Sequence, residues 1–190
     1  EIPLRLVGSE MCIRDRVNLF NFDFNKVENG KFSDKTITEL VKACYEMGKV
    51  KTGALIVVED EIVLTEYERT GIAVDGILTS QLLINIFEHN TPLHDGAVII
   101  RGDRITSATC YLPLSDNMTI SKDLGTRHRA ALGMSEVCDA LVIVVSEETG
   151  LVSVASGGRL LRAINAEELR SQLSQIQYRK TETKNKFSIR

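Results

Sequence analysis

The sequence predicts an α/β protein in which helices flank a mixed β-sheet within a single domain. Segments with apolar residues at helical spacing alternate with short β-branched runs, which indicates helices interleaved with strands. Several of these runs are joined in pairs by turns too short for a crossover helix, so the sheet cannot be strictly parallel. The chain has 190 residues, 43% of them hydrophobic and 26% charged, which is enough for one domain with its own core.

The first half of the chain predicts helix, strand, strand and helix. Ser33 is expected to cap a helix of about four turns that Gly48 ends. Residues 53–58 and 61–64 are β-branched runs separated by acidic residues, which predicts a hairpin or two adjacent strands. Residues 80–87 return to helical spacing.

The second half repeats this alternation. Residues 97–101 and 105–111 flank Gly102-Asp103, so they are expected to form a strand pair around a turn. The remaining predicted elements are helices at 124–137 and 166–176 and strands at 141–145 and 151–155.

Both ends of the chain differ from this pattern. Residues 1–29 lack sustained periodicity, and residues 8–16 resemble translated adaptor sequence, so this segment is left unassigned as possibly foreign. The folded domain is expected at 30–177. Residues 178–190 are polar and basic, which predicts a flexible tail.

Composition excludes several classes of protein. The longest apolar runs, 54–58 and 140–145, are far shorter than the roughly 18–20 residues of a membrane span. A net charge of −3 argues against a broad basic face for nucleic acid. The four cysteines form no Cys-x-x-Cys pair, which indicates reduced, mostly buried thiols in a cytoplasmic protein. P-loop and dinucleotide-binding fingerprints are absent.

The first motif with chemical potential is Leu93-His94-Asp95-Gly96-Ala97, which runs into an apolar strand. A carboxylate followed by glycine lets a metal or a hydroxyl approach the backbone. An Asp-Gly pair is also an ordinary turn. Consecutive residues of a regular strand point to opposite faces, so His94 and Asp95 can share a metal only if the backbone is irregular there. Asp95 is therefore the stronger candidate.

The second motif is Gly125-Thr126-Arg127-His128-Arg129, at the start of a predicted helix. The amides of a helix N-terminus and its dipole favour a phosphate, and Thr126 can cap the helix or donate to a phosphate oxygen. The triplet could instead be a solvated basic face. Arg127 and Arg129 lie about 200° apart on a helix, so one is expected to reach a phosphate while another residue of the triplet braces the loop or a partner subunit.

The third motif, residues 146–150, has the sequence Ser-Glu-Glu-Thr-Gly and follows a buried strand. It is either a polar turn or a set of hydroxyl and carboxylate groups at the same sheet edge as the other two motifs.

Together, Asp95-Gly96-Ala97 and Arg127-His128-Arg129 resemble the paired signature of the diadenylate cyclase domain. Segments 83–87, 91–94, 110–114, 124–126 and 145–150 are similar to the membrane-anchored CdaA-type branch, and the resemblance covers about residues 33–173. It implies that two ATP molecules condense into cyclic di-AMP with release of two pyrophosphates, assisted by Mg²⁺ or Mn²⁺. It also implies a homodimer in which each protomer holds one ATP.

The resemblance also implies roles for individual residues. The catalytic set is Asp95 near the ribose 3′-hydroxyl and the metal, Gly96 and Ala97 in the floor of the site, and Arg127, His128 and Arg129 at the phosphates. The nucleotide-binding set is Tyr111 and Leu112 at the adenine, with Gly125, Thr126, Arg127, Ser146, Glu147 and Thr149. The metal ligands are Asp95, His94 and Glu148.

The same resemblance bears on location and partners. Transmembrane helices precede the catalytic domain in that branch, so the full-length protein is expected at the cell membrane with this domain in the cytoplasm. Regulatory protein partners are compatible with it, and no nucleic-acid partner is expected. A sensor that binds ATP or cyclic di-AMP without turnover is the alternative, and a nucleotide hydrolase would need a positioned water and base that the sequence does not reveal.

Overall fold

The protein is described by a computed structural model over residues 31–116 and 124–178. The helices are α1 Asp34–Lys49, α2 Thr65–Glu68, α3 Ser80–Phe87, α4 Thr126–Val137 and α5 Ala166–Tyr178. The strands are β1 Ala54–Val58, β2 Ile72–Ile77, β3 Ala97–Arg101, β4 Arg104–Cys110, β5 Leu141–Val145, β6 Val152–Ser156 and β7 Arg159–Leu161.

These strands form one sheet in the order β2-β4-β3-β1-β5-β6-β7. The β1–β3 pair is parallel, and the other neighbouring pairs are antiparallel. The predicted α/β class with a mixed sheet is therefore confirmed.

Helices cover both faces of the sheet. Alternate residues of β1 belong to different clusters: Ile56 packs in the core beneath α1, α3 and α5, whereas Val57 packs in the core beneath α4. All residues of β1 and β5 are buried as a result. This double coverage explains why both strands are continuous apolar runs rather than alternating ones.

The strand predicted at residues 61–64 is wrong. Its backbone amides are bound by side chains instead of a neighbouring strand: the Glu59 carboxylate accepts from the Leu64 amide at 2.9 Å, and the Asp139 carboxylate accepts from the amides of Glu61 and Ile62 at 3.1 and 3.2 Å. The segment is a loop that leads into α2.

Several predicted boundaries also change. α1 continues through Lys49, so Gly48 is not its stop; a Cβ on Gly48 would lie 2.5 Å from the Gly150 carbonyl oxygen, which indicates a close backbone approach. α4 begins at Thr126 rather than at residue 124. α5 extends to Tyr178, which the sequence placed in the tail. β2 and β7 were not predicted.

Some predictions lie outside the described residues, namely those for residues 1–29, for Cys12 and for the tail beyond Tyr178. The three described cysteines, Cys44, Cys110 and Cys138, are free thiols. Burial raises the pKa of the Cys44 thiol to about 12, so this thiol is not a nucleophile. Among the described helices, none has the length and apolar character needed to cross a membrane.

Candidate active site

The three sequence motifs meet at one edge of the sheet, here called the site edge. Register sets this arrangement: Ala54 at the start of β1 is opposite Val145 at the end of β5, and Ala97 at the start of β3 is opposite Cys110 at the end of β4. Since β1 and β3 are parallel, both begin at this edge. Neighbouring strands are about 4.8 Å apart, so the segments before β3 and after β5 are about 10 Å apart.

Asp95 lies in a bend just before β3 and is exposed to solvent. Within the described part of the chain, its carboxylate has no hydrogen bond or ion pair. The backbone is irregular here, because regular strand structure begins only at Ala97 and Gly96 has a φ of +121°. The condition under which His94 and Asp95 could act together is therefore met.

Gly96 is required by packing as well as by its backbone angle. A Cβ on Gly96 would lie 2.7 Å from the carbonyl carbon of Thr109 and 2.8 Å from its Cα. Thr109 itself has a positive φ of 60°, at an irregularity in the β3–β4 pairing. Glycine thus lets β4 pass directly beside the segment that carries Asp95.

His94 is oriented by a contact within its own loop. Its Nδ1 lies 2.6 Å from the carbonyl oxygen of Thr91. This contact uses Nδ1 within the loop, so Nε2 is the ring nitrogen that could face a ligand. The His94 ring also contacts the His89 ring edge to face, with centroids 6.1 Å apart.

Tyr111 and Leu112 follow β4, next to the Asp95 segment. The Tyr111 side chain is 72% exposed, and its backbone amide donates to Thr70 Oγ1 at 2.9 Å. Leu112 is partly buried against the core beneath α4. This edge therefore offers an exposed ring and an apolar side chain beside a carboxylate, a combination suited to a base and a sugar.

The N-terminus of α4 faces the same edge. Gly125 is the N-cap and provides no side-chain hydrogen bond to the first turn, so of the two roles predicted for Thr126, capping the helix and donating to a phosphate oxygen, the first is wrong. The amides of His128 and Arg129 bond to the Gly125 carbonyl oxygen. Because an N-cap without a side-chain acceptor leaves first-turn amides to other partners, this end suits a phosphate.

A cleft lies between the start of α4 and the segment that follows β5. The residues that line it are Gly125, Thr126, Arg127, His128, Val145, Ser146, Glu147 and Glu148. An adjoining cleft of about 310 Å³ shares three of these residues and extends towards β6 and β7. Two motifs that are far apart in sequence thus form a single concave surface.

Arg127 is held by an ion pair above β1. Its Nη1 donates to Glu147 Oε2 at 2.5 Å. A Cβ on Gly53 would lie 2.9 Å from Arg127 Nη1 and 3.0 Å from Glu147 Oε2, so glycine at this position makes room for the pair. This role of Gly53 was not predictable from the sequence, because the residue has no local signal beyond its position before a buried strand.

Arg129 contacts a different part of the protein. Its Nη2 donates to the Ser115 carbonyl oxygen at 3.3 Å, and the Ser115 amide donates to the Arg129 carbonyl oxygen at 3.0 Å. Nearby, the Ser115 hydroxyl donates to Glu136 at 2.7 Å. These bonds attach the segment after β4 to α4, which is the bracing contact expected of one member of the basic triplet.

His128 is the buried member of the triplet. Burial lowers the pKa of its imidazole, and the positive charge of Arg162 lowers it further, while the carboxylate of Glu148 opposes both effects. Imidazole is accordingly neutral at physiological pH, with one donor and one acceptor nitrogen.

The segment at 146–150 is a turn whose hydroxyls serve its own backbone. Ser146 Oγ accepts from the Thr149 amide at 3.2 Å, and Thr149 Oγ1 accepts from the Leu151 amide at 3.3 Å. Gly150 has a φ of +73°, which closes the turn. Ser146 still lines both clefts and Thr149 lines the larger one, so the turn positions donors beside α4.

The proposed metal ligands do not form a self-sufficient site. Among the described residues, no group of three or more histidine, cysteine, aspartate or glutamate side chains could hold a metal ion. Magnesium is commonly bound by one or two carboxylates together with substrate phosphates and water. An exposed carboxylate at Asp95 fits that pattern if a nucleotide supplies the remaining oxygens.

Fold and site define the class of protein: an α/β domain with a nucleotide-type site at the end of a mixed sheet. Residues 41–160 match the family described as DisA bacterial checkpoint controller nucleotide-binding, abbreviated DAC. The match covers more than half of the chain, and the chain belongs to this family.

Curated relatives are similar over most of this chain. It is 53% identical over 139 residues to the cyclic di-AMP synthase CdaA of Bacillus subtilis, which covers 73% of this chain and 51% of that protein. It is 51% identical over 154 residues to a diadenylate cyclase of Listeria monocytogenes, which covers 81% and 56%. The chain thus spans about half the length of these relatives.

Solved structures agree with the fold. A double mutant of DacA from Staphylococcus aureus matches with a TM-score of 0.74 and 51% identity, over 75% of this chain and 95% of that one. A protein from Bacillus cereus, described as a hypothetical membrane spanning protein, matches with a TM-score of 0.68 and 40% identity, over 73% and 67%.

Proposed function

We propose that this protein is a diadenylate cyclase that condenses two ATP molecules into cyclic di-AMP and releases two pyrophosphates. The observation that carries the proposal is the order of groups along the site edge. Tyr111 and Leu112 follow β4, and Asp95 precedes β3. The start of α4 at residues 125–127, here called the α4 cradle, lies at the end of β5. From β4 to β5 is about 14 Å, the scale of an extended nucleotide. Base, ribose and phosphates of one ATP match this order.

Asp95 is the proposed catalytic carboxylate at the ribose. Attack of a 3′-oxygen on an α-phosphorus forms a P–O bond and breaks the bond to the pyrophosphate, and the hydroxyl must lose its proton. The Asp95 carboxylate is exposed and has no hydrogen bond or ion pair within the described residues, so it is available to accept the proton or to hold a metal. Gly96 shapes the floor by letting the Asp95 segment lie close to β4, and the buried Ala97 continues the floor opposite Cys110.

The start of α4 is the proposed phosphate site. The first-turn amides with Gly125 and Thr126 face the phosphates, and Arg127 can exchange Glu147 for a phosphate oxygen. Exchange is feasible because the pair is partly exposed, and such pairs contribute only about 0–1 kcal/mol. Glu147 thereby holds Arg127 in place before the nucleotide binds.

The remaining site residues have supporting roles. Ser146 and Thr149 present the β5 turn to the phosphates, and Arg129 braces the loop behind Leu112. His94, Asp95 and Glu148 are the proposed ligands of Mg²⁺ or Mn²⁺, together with phosphate oxygens. A bound divalent ion would neutralise phosphate charge and lower the pKa of the attacking hydroxyl.

Ring closure requires two substrates, and we propose that two protomers meet face to face with one ATP each. One site edge carries one Asp95 segment and one α4 cradle, which serve one attack of a 3′-oxygen on an α-phosphorus. The second attack therefore needs the same groups from another copy. We further propose that the full-length protein is held at the cell membrane with this domain in the cytoplasm, as the description of the Bacillus cereus neighbour suggests. Regulatory protein partners would then meet it at the membrane.

The direct test is incubation of the purified chain with ATP and Mn²⁺ or Mg²⁺, followed by mass analysis of the products. Cyclic di-AMP and pyrophosphate in a 1:2 ratio are expected. Binding of ATP without product would favour the sensor function, whereas ADP or AMP as the main product would favour a hydrolase. The same incubation without added Mn²⁺ or Mg²⁺ serves as the control.

Dimer dependence is tested by dilution and by mixing. Activity per chain should rise with protein concentration until the dimer is saturated. Equal amounts of parent and Asp95→Asn chains should lower the activity per parent chain by about half, because random pairing places half of the parent chains in mixed dimers. Flat specific activity far below the dimer dissociation constant, with no loss in the mixture, would contradict the face-to-face arrangement.

A further inference from the structure

The larger cleft, beside the α4 cradle, contains an arginine that belongs to none of the three sequence motifs. Arg162 follows β7 and lines this cleft of about 310 Å³ together with His128, Ser146, Glu148 and Ser153. Register explains its position: Leu161 is opposite Val154 of β6, and the Ile164 amide donates to the Val152 carbonyl oxygen at 3.0 Å, so the chain after β7 continues beside β6 to the site edge.

Arg162 differs from the two arginines of the basic triplet. Arg127 is paired with Glu147, and Arg129 donates to the Ser115 carbonyl oxygen. Within the described residues, the guanidinium of Arg162 makes no hydrogen bond or ion pair, and the residue is exposed. Its five donors are therefore open to a ligand that enters the cleft.

Packing does not account for Arg162. Arg162 is exposed rather than buried in the core, and the neighbouring Ala163 has a positive φ of 54°, a conformation that is unfavourable for alanine. The strained neighbour turns the chain at the point where the arginine enters the cleft. Strain of this kind costs about 1–3 kcal/mol and is found preferentially at ligand sites.

Charges around the cleft favour an anion at Arg162 rather than a cation. The positive charge of Arg162 acts on the buried imidazole of His128 and helps to keep it neutral. Glu148 lines the same cleft, but its carboxylate makes no hydrogen bond or ion pair with Arg162 among the described residues. Arg162 lies beside the α4 cradle, on the side away from Asp95 and the proposed ribose position.

We propose that Arg162 binds the outer phosphates of the nucleotide and stabilises the pyrophosphate as it leaves. This role rests on the proposed function of the same site. When the bond between the α-phosphorus and the bridging oxygen breaks, the electron pair stays on the pyrophosphate, and its added negative charge develops beside Arg162. Arg162 is thus a determinant of preference for triphosphates over monophosphates.

The test compares Arg162→Gln with Arg159→Gln. Arg159 is an exposed arginine at the start of β7, opposite Ser156, and serves as the matched control. Calorimetry measures binding of AMP, of a non-hydrolysable ATP analogue and of inorganic pyrophosphate. Arg162→Gln is expected to weaken the ATP analogue and pyrophosphate about tenfold while AMP stays within twofold, because one charge-assisted contact is lost. Arg159→Gln should bind all three like the parent.

Each outcome decides the proposal. Unchanged binding of both the ATP analogue and pyrophosphate would overturn it, and so would equal weakening of AMP, since that result would mean a general role in shaping the cleft. If the unchanged protein makes cyclic di-AMP while Arg162→Gln binds the ATP analogue and pyrophosphate normally, the inference is refuted and the proposed function stands. If the unchanged protein makes no cyclic di-AMP but Arg162→Gln loses the preference for triphosphates, the result supports binding of the outer phosphates by Arg162 and refutes both the cyclase and the role of Arg162 at the leaving group. A parent that binds neither the ATP analogue nor pyrophosphate refutes both.

Discussion

Asp95→Asn separates the chemistry of the site from its shape. The Asp95 side chain is exposed, and among the described residues its carboxylate has no hydrogen bond or ion pair to lose. An exposed substitution of this kind changes the free energy of unfolding by less than about 0.5 kcal/mol. Asparagine keeps the shape and the hydrogen-bonding capacity of aspartate, so binding of ATP should also be nearly unchanged.

Turnover should respond very differently. Removal of a general base commonly lowers a rate by about 10²–10⁴, which corresponds to about 3–5 kcal/mol in activation free energy. This is several times larger than the expected change in stability. Loss of product therefore cannot be attributed to unfolding.

Three measurements on one preparation test this reasoning: cyclic di-AMP by mass analysis at saturating ATP, ATP binding by calorimetry, and stability by urea unfolding. Glu88→Gln is the matched control, because Glu88 is another exposed carboxylate in the segment between α3 and β3. It should behave like the parent in all three. Product formation by Asp95→Asn within a few-fold of the parent, with ATP still bound, would refute a catalytic role.

Further substitutions test the supports of the site. Gly96→Ala should lower the free energy of unfolding by about 2–6 kcal/mol, because the new Cβ would lie 2.7 Å from a Thr109 carbon and the backbone φ is +121°. Gly125→Ala is the control: no atom lies within 4 Å of its Cβ, so urea unfolding should show a loss of at most about 1 kcal/mol. Arg127→Ala should weaken ATP binding about tenfold or more by calorimetry, and an unchanged Kd would remove it from the phosphate site. The pKa of His128 is lower in the folded than in the unfolded chain, so on acidification the unfolded chain takes up this proton at a higher pH. The free energy of unfolding should therefore fall as the pH drops below about 6.5. His128→Gln should flatten that dependence; an equal slope would assign it to other groups.

Elements whose apolar pattern is local were predictable from the sequence. α1 and α3 begin at side-chain caps, Ser33 and Thr79, and carry apolar residues at helical spacing. β1 and β5 are continuous apolar runs because helices cover both faces of the sheet. In each case the apolar pattern of the element's own residues indicates which of its faces are buried.

Elements that depend on distant partners were not predictable. Residues 61–64 have strand-like composition, but Glu59 and Asp139 bind their amides, and Asp139 is more than 70 residues away in sequence. β2 is an exposed edge strand interrupted by a bulge, and β7 has only three residues, so neither shows a clear alternating pattern. Pairing with β4 and β6, rather than local preference, makes them strands.

The sequence by itself determined which chemical groups the site contains: a carboxylate before a glycine, a basic triplet at a helix start, and a polar turn after a buried strand. Only the tertiary structure decided how the basic groups are used. Arg127 pairs with Glu147 above Gly53, Arg129 braces the segment that contains Ser115, and Arg162 lines the larger cleft. The physical reason is that a side chain's role depends on its contacts, and these contacts join segments that come together only when the sheet sets their register.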